Sequence, residues 1–419
     1  MKIAVVGSGI SGLACSLLLS QKHEVHLFES EKRLGGHAHT SSIYNNSKDF
    51  NVDTGFLVYN ELTYPHLTAM FKYLNVETVA SDMSLSIQEP NVDLEWAGDN
   101  LDSVFAQRKN LFNPRFYKLM FDILKFHKHA EKNRDLAREH KWTVAQLLKN
   151  LKYSNELTEW YVLPMIAAIW STPEKSMLDF PAETFLTFFI NHKLLQVNDR
   201  PQWRTVKNGS VNYVNKIAAQ LQSIHLDEAV VSVQKNENGL ELTSNKSLYQ
   251  FDKVVFAVNP SVSSKMYRAV NADTNEILSS FKTESNQAYL HLDKSFMPKS
   301  KKCWASWNVK ANLKNSNSNS NKVALTYFLN RLQPLPTPDN ILLTLNPNTK
   351  PNDIILQHEY HHPIFNQKAI EAQKQLPEIQ GQDGVYHIGA WTRYGFHEDG
   401  LLSAVKLAEL FDIQTPWGV

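Results

Sequence analysis

The sequence predicts an α/β fold of two domains, one that the chain leaves and re-enters twice and one built on an antiparallel sheet with a helical layer. Three observations predict it. An apolar run, a glycine turn and a helix pattern open the chain over residues 1–40; strand-and-turn patterns return near residues 230–257 and 389–400; and the intervening segments carry alternating strands and apolar helices. At 419 residues the chain exceeds one small core, so two or three domains are expected.

Lys2-Ile3-Ala4-Val5-Val6 reads as a buried strand and Gly7-Ser8-Gly9-Ile10-Ser11-Gly12 as a turn into a helix running towards Gln21. Glu24-Val25-His26-Leu27-Phe28 reads as a second strand ending at Glu29. A strand, glycine turn, helix and strand with an acidic residue about 20 positions on is the context that makes a glycine pattern a dinucleotide site. Gly7 permits the tight turn, Gly9 lets backbone approach a pyrophosphate, and Gly12 lets helix and strand pack closely. The helix N-terminus, at Ile10 and Ser11, offers N–H groups to the phosphates. Glu29, with Ser30 beside it, is placed to accept hydrogen bonds from ribose hydroxyls. A second pair, Gly35-Gly36, followed by His37, His39 and Thr40, implies another close backbone approach that a nicotinamide dinucleotide does not need.

Asn51-Val52-Asp53-Thr54-Gly55-Phe56 reads as a strand end after a polar loop at residues 45–48. Tyr64-Pro65 opens a helical pattern through Tyr73, and strands are expected around Leu85-Ser86-Ile87 and Leu94-Glu95-Trp96. Residues 105–150 are helical in period, with Phe116, Leu119, Ile123 and Phe126 interleaved with Arg115, Lys118, Lys125 and Lys128. Such a helix either lies on an anionic membrane surface or packs its stripe on its own domain and solvates its lysines. The run from Tyr161 to Trp170 is broken by Pro164 and too short to span a bilayer. With Ser171-Thr172-Pro173 and residues 185–189 it forms an apolar helical layer, either core or the wall of a pocket.

A glycine turn at Asn208-Gly209-Ser210 precedes a helix over residues 211–221. Strands are expected at 229–233, at 239–242 and, as one buried strand ending in a turn, at 251–260. Residues 288–293, 304–308, 322–328 and 341–347 read as strands of one antiparallel sheet. The Asn/Ser tract at 315–321 reads as an exposed hairpin tip. Last come a strand over 385–391 and a helix starting at Gly400-Leu401, whose N-terminus suits negative charge.

Basic and acidic residues number 43 and 42, which gives no electrostatic case for nucleic acid. Cys15 and Cys303 stand far apart, in neither a disulfide framework nor a metal spacing, and His358, His361 and His362 lack regular ligand spacing, so no metal is expected. The glycine-rich N-terminus reads as retained structure rather than a signal peptide, which points to a cytoplasmic, reducing compartment.

The glycine blocks together resemble the FAD-dependent amine oxidase-like superfamily across essentially the whole chain. The chain departs from it in having His37 where relatives usually carry Arg, and Val258-Asn259-Pro260 where a polar turn with His is usual. Longer motifs, among them Pro164-Met165-Ile166-Ala167-Ala168-Ile169-Trp170-Ser171, Thr344-Leu345-Asn346-Pro347 and Tyr394-Gly395-Phe396-His397-Glu398-Asp399-Gly400, are similar to bacterial predicted NAD/FAD-binding proteins. That subfamily is associated with cyclopropane fatty-acid synthase-like methyltransferases. It is similar to a flavoprotein desaturase of methylated or furan fatty acids, and more distantly to polyunsaturated fatty-acid isomerases.

The resemblance implies a Rossmann-like FAD-binding domain from residues 1–60, 200–275 and 380–419, and a substrate domain from 61–199 and 276–379. It adds Thr40, Gly55, Val230, Ala257, Gly389, Ala390, Asp399, Gly400 and Leu401 to the FAD contacts. FAD is expected to be non-covalent, because no cysteine lies in the C-terminal motif. The expected reaction is hydride abstraction from a fatty-acyl or other apolar lipid. Redox-neutral double-bond isomerisation, amine oxidation and a non-enzymatic FAD-binding scaffold for a lipid-modifying partner stay open. So do a methyltransferase partner and peripheral contact with the inner membrane. His39, His397 and Tyr394 are the candidates for proton traffic, since imidazole titrates near neutrality, against a second reading as hydrogen-bonded core residues. Glu398 and Asp399 read equally as helix caps. Trp170, Trp304, Trp307, Tyr327 and Trp391 line the substrate pocket or fill the core.

Overall fold

The computed structural model describes residues 1–45, 48–170, 178–195, 200–267, 271–311 and 323–418. Among them, five strands form a parallel sheet in the order Ser223–His225, Glu24–Phe28, Lys2–Val6, Lys253–Phe256, Val385–His387. A parallel sheet is covered on both faces, so its strands are apolar throughout. Successive side chains of the central strand divide between the faces. Ile3 and Val5 enter the core with the first helix (Ile10–Leu19) and the final helix (His397–Glu409), while Ala4 and Val6 pack with Phe28, Phe256, Leu240 and Leu242. The latter two belong to a small antiparallel sheet, Val230–Asn236, Gly239–Ser244 and Leu248–Phe251.

The second large sheet has seven strands among the described residues, in the order Ile354–Ile364, Lys282–His291, Leu342–Leu345, Ala324–Phe328, Trp307–Lys310, Leu85–Glu89, Leu94–Ala97. Helices Pro114–Lys128, Ala130–His140, Val144–Asn150, Leu163–Trp170 and Ala182–Asn191 cover it, sharing a core with Phe116, Phe126, Phe185, Phe188 and Phe189.

The structure corrects several expected elements. The sheet is mixed rather than antiparallel, because Trp307–Lys310 pairs in parallel with Leu85–Glu89. The single strand expected over 251–260 is two strands in two sheets. The chain crosses between them at Asp252, whose carboxylate accepts the Lys2 N–H at 2.7 Å. The strand expected over 385–391 stops at His387, and the helix expected from Gly400 starts at His397. Trp304 precedes its strand instead of lying on it. The 11-residue strand Ile354–Ile364 was not expected. It carries Pro363, which an edge strand tolerates better than a central one. The Ser171-Thr172-Pro173 segment and the Asn/Ser tract at 315–321 lie outside the described residues.

Candidate flavin and substrate site

The first strand enters its turn with Gly7 at φ 100°, its N–H bonded to the Phe28 carbonyl at 2.9 Å. A Cβ on Gly12 would stand 1.8 Å from the Gly7 carbonyl oxygen, so helix and turn meet only because that carbon is missing. A Cβ on Gly9 would meet nothing within 4 Å. The start of the helix therefore faces open space with its first N–H groups lacking intrahelical acceptors. Gly36 closes one side of that space, its Cβ position 3.1 Å from the Gly9 Cα. Gly400 closes another, its Cβ position 2.8 Å from Ile10 Cγ2 and Ser11 Oγ, and Ala257 lies beside Gly12. Blocks from the start, middle and end of the chain are thus brought into one cradle. Gly389 is tied to the final helix through its N–H, which donates to Ser403 Oγ at 3.0 Å, and Ala390 follows it in a short helical turn.

Ser8, which sequence reasoning missed, joins the ribose and diglycine segments. Its hydroxyl donates to Glu29 Oε2 at 2.6 Å and accepts the Gly35 N–H at 3.2 Å. Ser30 donates to the other Glu29 oxygen at 3.2 Å. His37 stands where the resemblance expects Arg; nearby, Arg33 donates from Nη1 to the Gly36 carbonyl at 3.0 Å and pairs with Glu31 at 3.0 Å. Val230 and Leu401 are buried, Val230 beside the central sheet and Leu401 in the core of the two helices.

Asp53 is the second missed residue. Fully buried, it accepts two bonds from the Ser210 N–H, one from Ser210 Oγ at 2.8 Å and one from Thr40 Oγ1. Its backbone N–H and C=O bond to the Gln333 side chain at 2.9 and 3.0 Å. Burial pushes its carboxyl up to about 6 although these donors oppose the shift. The Asp-x-Gly pattern and the turn before Ser210 were both visible in the sequence, but nothing local links them.

The carboxylates at the final helix are caps. Asp399 accepts the N–H groups of Phe396 and Tyr394 at 3.0 and 3.2 Å, which sets the helix start at His397. Glu398 caps a different helix, Pro65–Tyr73, accepting the His66 and Leu67 N–H groups at 2.9 Å each. Burial pushes Asp399 up to about 6 and Glu398 up to about 7. Glu398→Ala is expected to cost about 1–2 kcal/mol by orphaning these donors, read as a lowered midpoint of thermal unfolding.

His397 is packed on Phe56 at 3.7 Å between ring centres, with Nε2 3.0 Å from Tyr213 Oη. Burial holds its pKa down near 3 and that of His39 near 3 as well, so neither imidazole titrates near neutrality as expected. His39 Nδ1 lies 3.1 Å from Tyr360 Oη, which is 2.8 Å from Thr54 Oγ1. Thr54, Gly55, His37, Ile169, Tyr327, Leu345, Tyr360 and His362 line a cavity of about 60 Å³ where the diglycine loop meets the large sheet. His362 is held near 3 by burial, while the His37 side chain is exposed at the cavity rim.

Of the expected pocket aromatics, Tyr327 lines the cavity and Trp307 packs against it at 4.9 Å, its buried indole N–H finding no partner among the described residues. Trp170 adjoins Ile169 but is turned into the helical core beside Phe180 and Phe188, its N–H reaching the Tyr394 carbonyl at 3.4 Å. Tyr394 packs on the same core, under the Arg393 guanidinium. Trp304 and Trp391 are not among the lining residues. Trp304 donates to the Pro298 carbonyl; Trp391 donates to the Val258 carbonyl and packs on Phe281 at 4.6 Å.

The cradle, with glycine on three sides and the open N–H groups of the first helix, fits a dinucleotide's pyrophosphate, and the cavity lies on the His37–Gly55 side. Solved structures similar to the chain share its fold. A fatty acid isomerase from P. acnes that produces conjugated linoleic acid (CLA) superposes with a TM-score of 0.71, at 12% identity over 98% of each chain. Cyclohexylamine oxidase from Brevibacterium oxydans gives 0.69 at 14% identity, covering 98% of this chain and 99% of that one. A redesigned putrescine oxidase gives 0.69 at 13% identity over 98% of each. No curated protein sequence matches. Residues 10–345 match the model of the flavin-containing amine oxidoreductases. The chain belongs to that family and is an FAD-dependent oxidoreductase with the amine oxidase-like two-domain fold.

Proposed function

We propose that the protein abstracts hydride from a carbon of a fatty-acyl or similarly apolar lipid chain. The observation that carries this reading is the cavity lining: among the described residues it has no carboxylate, lysine or arginine, and burial disfavours protonation of His362. FAD supplies the hydride acceptor. The chain's own residues exclude water with Ile169, Leu345 and Tyr327 and offer a route for the accompanying proton. Thr54 faces the cavity, Tyr360 bridges it to His39, and His39 adjoins His358 at 4.1 Å between ring centres. Loss of hydride and of a proton from adjacent carbons leaves a double bond. Return of hydride at another carbon is the redox-neutral alternative, favoured by the likeness to the fatty acid isomerase. Neither Trp391 nor Tyr394 is among the lining residues, so neither supplies an aromatic cage for an amine there.

Anaerobic mixing with saturated, methyl-branched and polyunsaturated fatty acids, and separately with primary amines, tests the reading. Bleaching of the flavin band by a fatty acid, with a new double bond in the product, is expected. A shifted double bond without lasting bleaching supports isomerisation. Bleaching by amines alone overturns the lipid reading.

A further inference from the structure

The helix Pro114–Lys128 is apolar on two faces. Phe116, Leu119, Ile123 and Phe126 are buried against the helical core. That satisfies the ordinary reading of the stripe and leaves the opposite side to be explained. There Tyr117, Phe121 and Leu124, spaced i, i+4 and i+7, form a second stripe on the solvent side. Phe121 is 72% exposed and Phe112, just before the helix, is 90% exposed; Leu111 adjoins them, its carbonyl accepting the Tyr117 hydroxyl at 3.1 Å. Lys118 and Lys125 each follow a stripe residue, and Lys128 continues the stripe one turn on. Residues 101–128 hold six basic side chains against two acidic ones in a chain that is otherwise nearly neutral.

We propose that this face docks on an anionic phospholipid surface, with Phe112 and Phe121 entering the acyl boundary and the lysines meeting the headgroups. An apolar stripe flanked by lysines is the arrangement that binds an interface through both area and charge. The acidic groups nearby pair with four of these six cations and leave Lys125 and Lys128 to meet the headgroups. Glu156 draws Arg115 and Lys118, Asp102 pairs with Arg108, and Asp93 pairs with Lys109, while Lys125 lies over the Tyr153 ring and Lys128 makes no ion pair among the described residues. A phenyl ring as exposed as that of Phe112 projects from the surface, which suits insertion better than flat packing against a second protein. Among the described residues no helix is long and apolar enough to cross a membrane, so the contact would be peripheral. The proposal does not rest on the lipid-substrate reading.

Flotation of the flavin-loaded protein with vesicles tests it. The wild type is expected to float with vesicles of phosphatidylglycerol mixed with phosphatidylcholine, and to remain behind with phosphatidylcholine alone or at high salt. Phe112→Glu with Phe121→Glu is expected to cut partitioning at least about tenfold. The same double variant keeps its flavin spectrum, because both side chains are in water already. Lys125→Glu with Lys128→Glu tests the charge separately and is expected to lower binding by a factor of about 10 or more. Absence of flotation on anionic vesicles, or flotation that the phenylalanine variant does not change, overturns the proposal. So does dimerisation in lipid-free buffer that the same variant abolishes, when no vesicle binding is seen.

Discussion

Thermal unfolding is expected to move steeply to lower temperature as the pH falls below about 6, well before ordinary carboxylates titrate. Among the histidines that burial lowers from their usual 6.5 are His127, His192, His291 and His387, to about 4, and His39, His362 and His397, to about 3. A group whose folded pKa lies below its unfolded one stabilises the fold fully above the unfolded value, and that stability is lost as pH falls towards the folded value. Three carboxyls act in the opposite sense. Asp53, Asp399 and Glu398, raised to about 6, 6 and 7, favour the fold at low pH, and that contribution is lost as pH rises through those values. Between about pH 4 and pH 6 the histidines outnumber the carboxyls, so the unfolded chain takes up more protons and stability falls with acid, at about 1.4 kcal/mol per pH unit for each net proton. A melting profile flat from about pH 7 to pH 5 would show that these imidazoles are solvated.

Substitutions at two neighbouring glycines are expected to separate folding from cofactor retention. Gly12→Ala places a methyl 1.8 Å from a carbonyl oxygen of the backbone, which no rotamer relieves. Overpacking of this kind costs about 3 kcal/mol or more, and the turn must open to accept it. The variant should lose both melting temperature and the yellow colour. Gly9→Ala meets nothing in the protein, so the fold should keep its melting temperature without cofactor. The added methyl instead occupies the cradle, and flavin retained after purification should fall severely. A Gly12→Ala protein that melts and absorbs like the wild type would contradict the cradle.

Legibility in the sequence followed the range of the interactions. The first strand, its glycine turn, the first helix and the second strand are set by contacts within 30 residues, and their expected bounds agree with the structure to within two residues. The residues that fasten distant segments were not legible. Asp53 finds Ser210 and Gln333 across 157 and 280 positions, and Glu398 finds His66 across 332, so neither pairing leaves a local spacing. The strand Ile354–Ile364 was hidden by His358, Glu359, His361, His362 and Pro363, which an edge strand accepts and a buried strand does not. The parallel pairing of Trp307–Lys310 with Leu85–Glu89 joins strands more than 200 positions apart, beyond any hairpin rule. The start of the final helix was misplaced for a local reason: the glycine at 400 drew attention from Asp399, whose carboxylate does the capping.

The central strand of the parallel sheet also sets a timetable for the ribosome. Lys2–Val6 obtains its first neighbour after some 20 residues, but its other neighbour is Lys253–Phe256, with Ile3 beside Lys253, and Val385–His387 joins beyond that. At roughly 5–20 residues per second, the nascent chain carries that unpaired strand edge for on the order of ten seconds or more. High contact order of this kind slows folding and leaves an aggregation-prone intermediate, so yield from rapid synthesis should depend on chaperones holding the N-terminal unit until its late strands emerge.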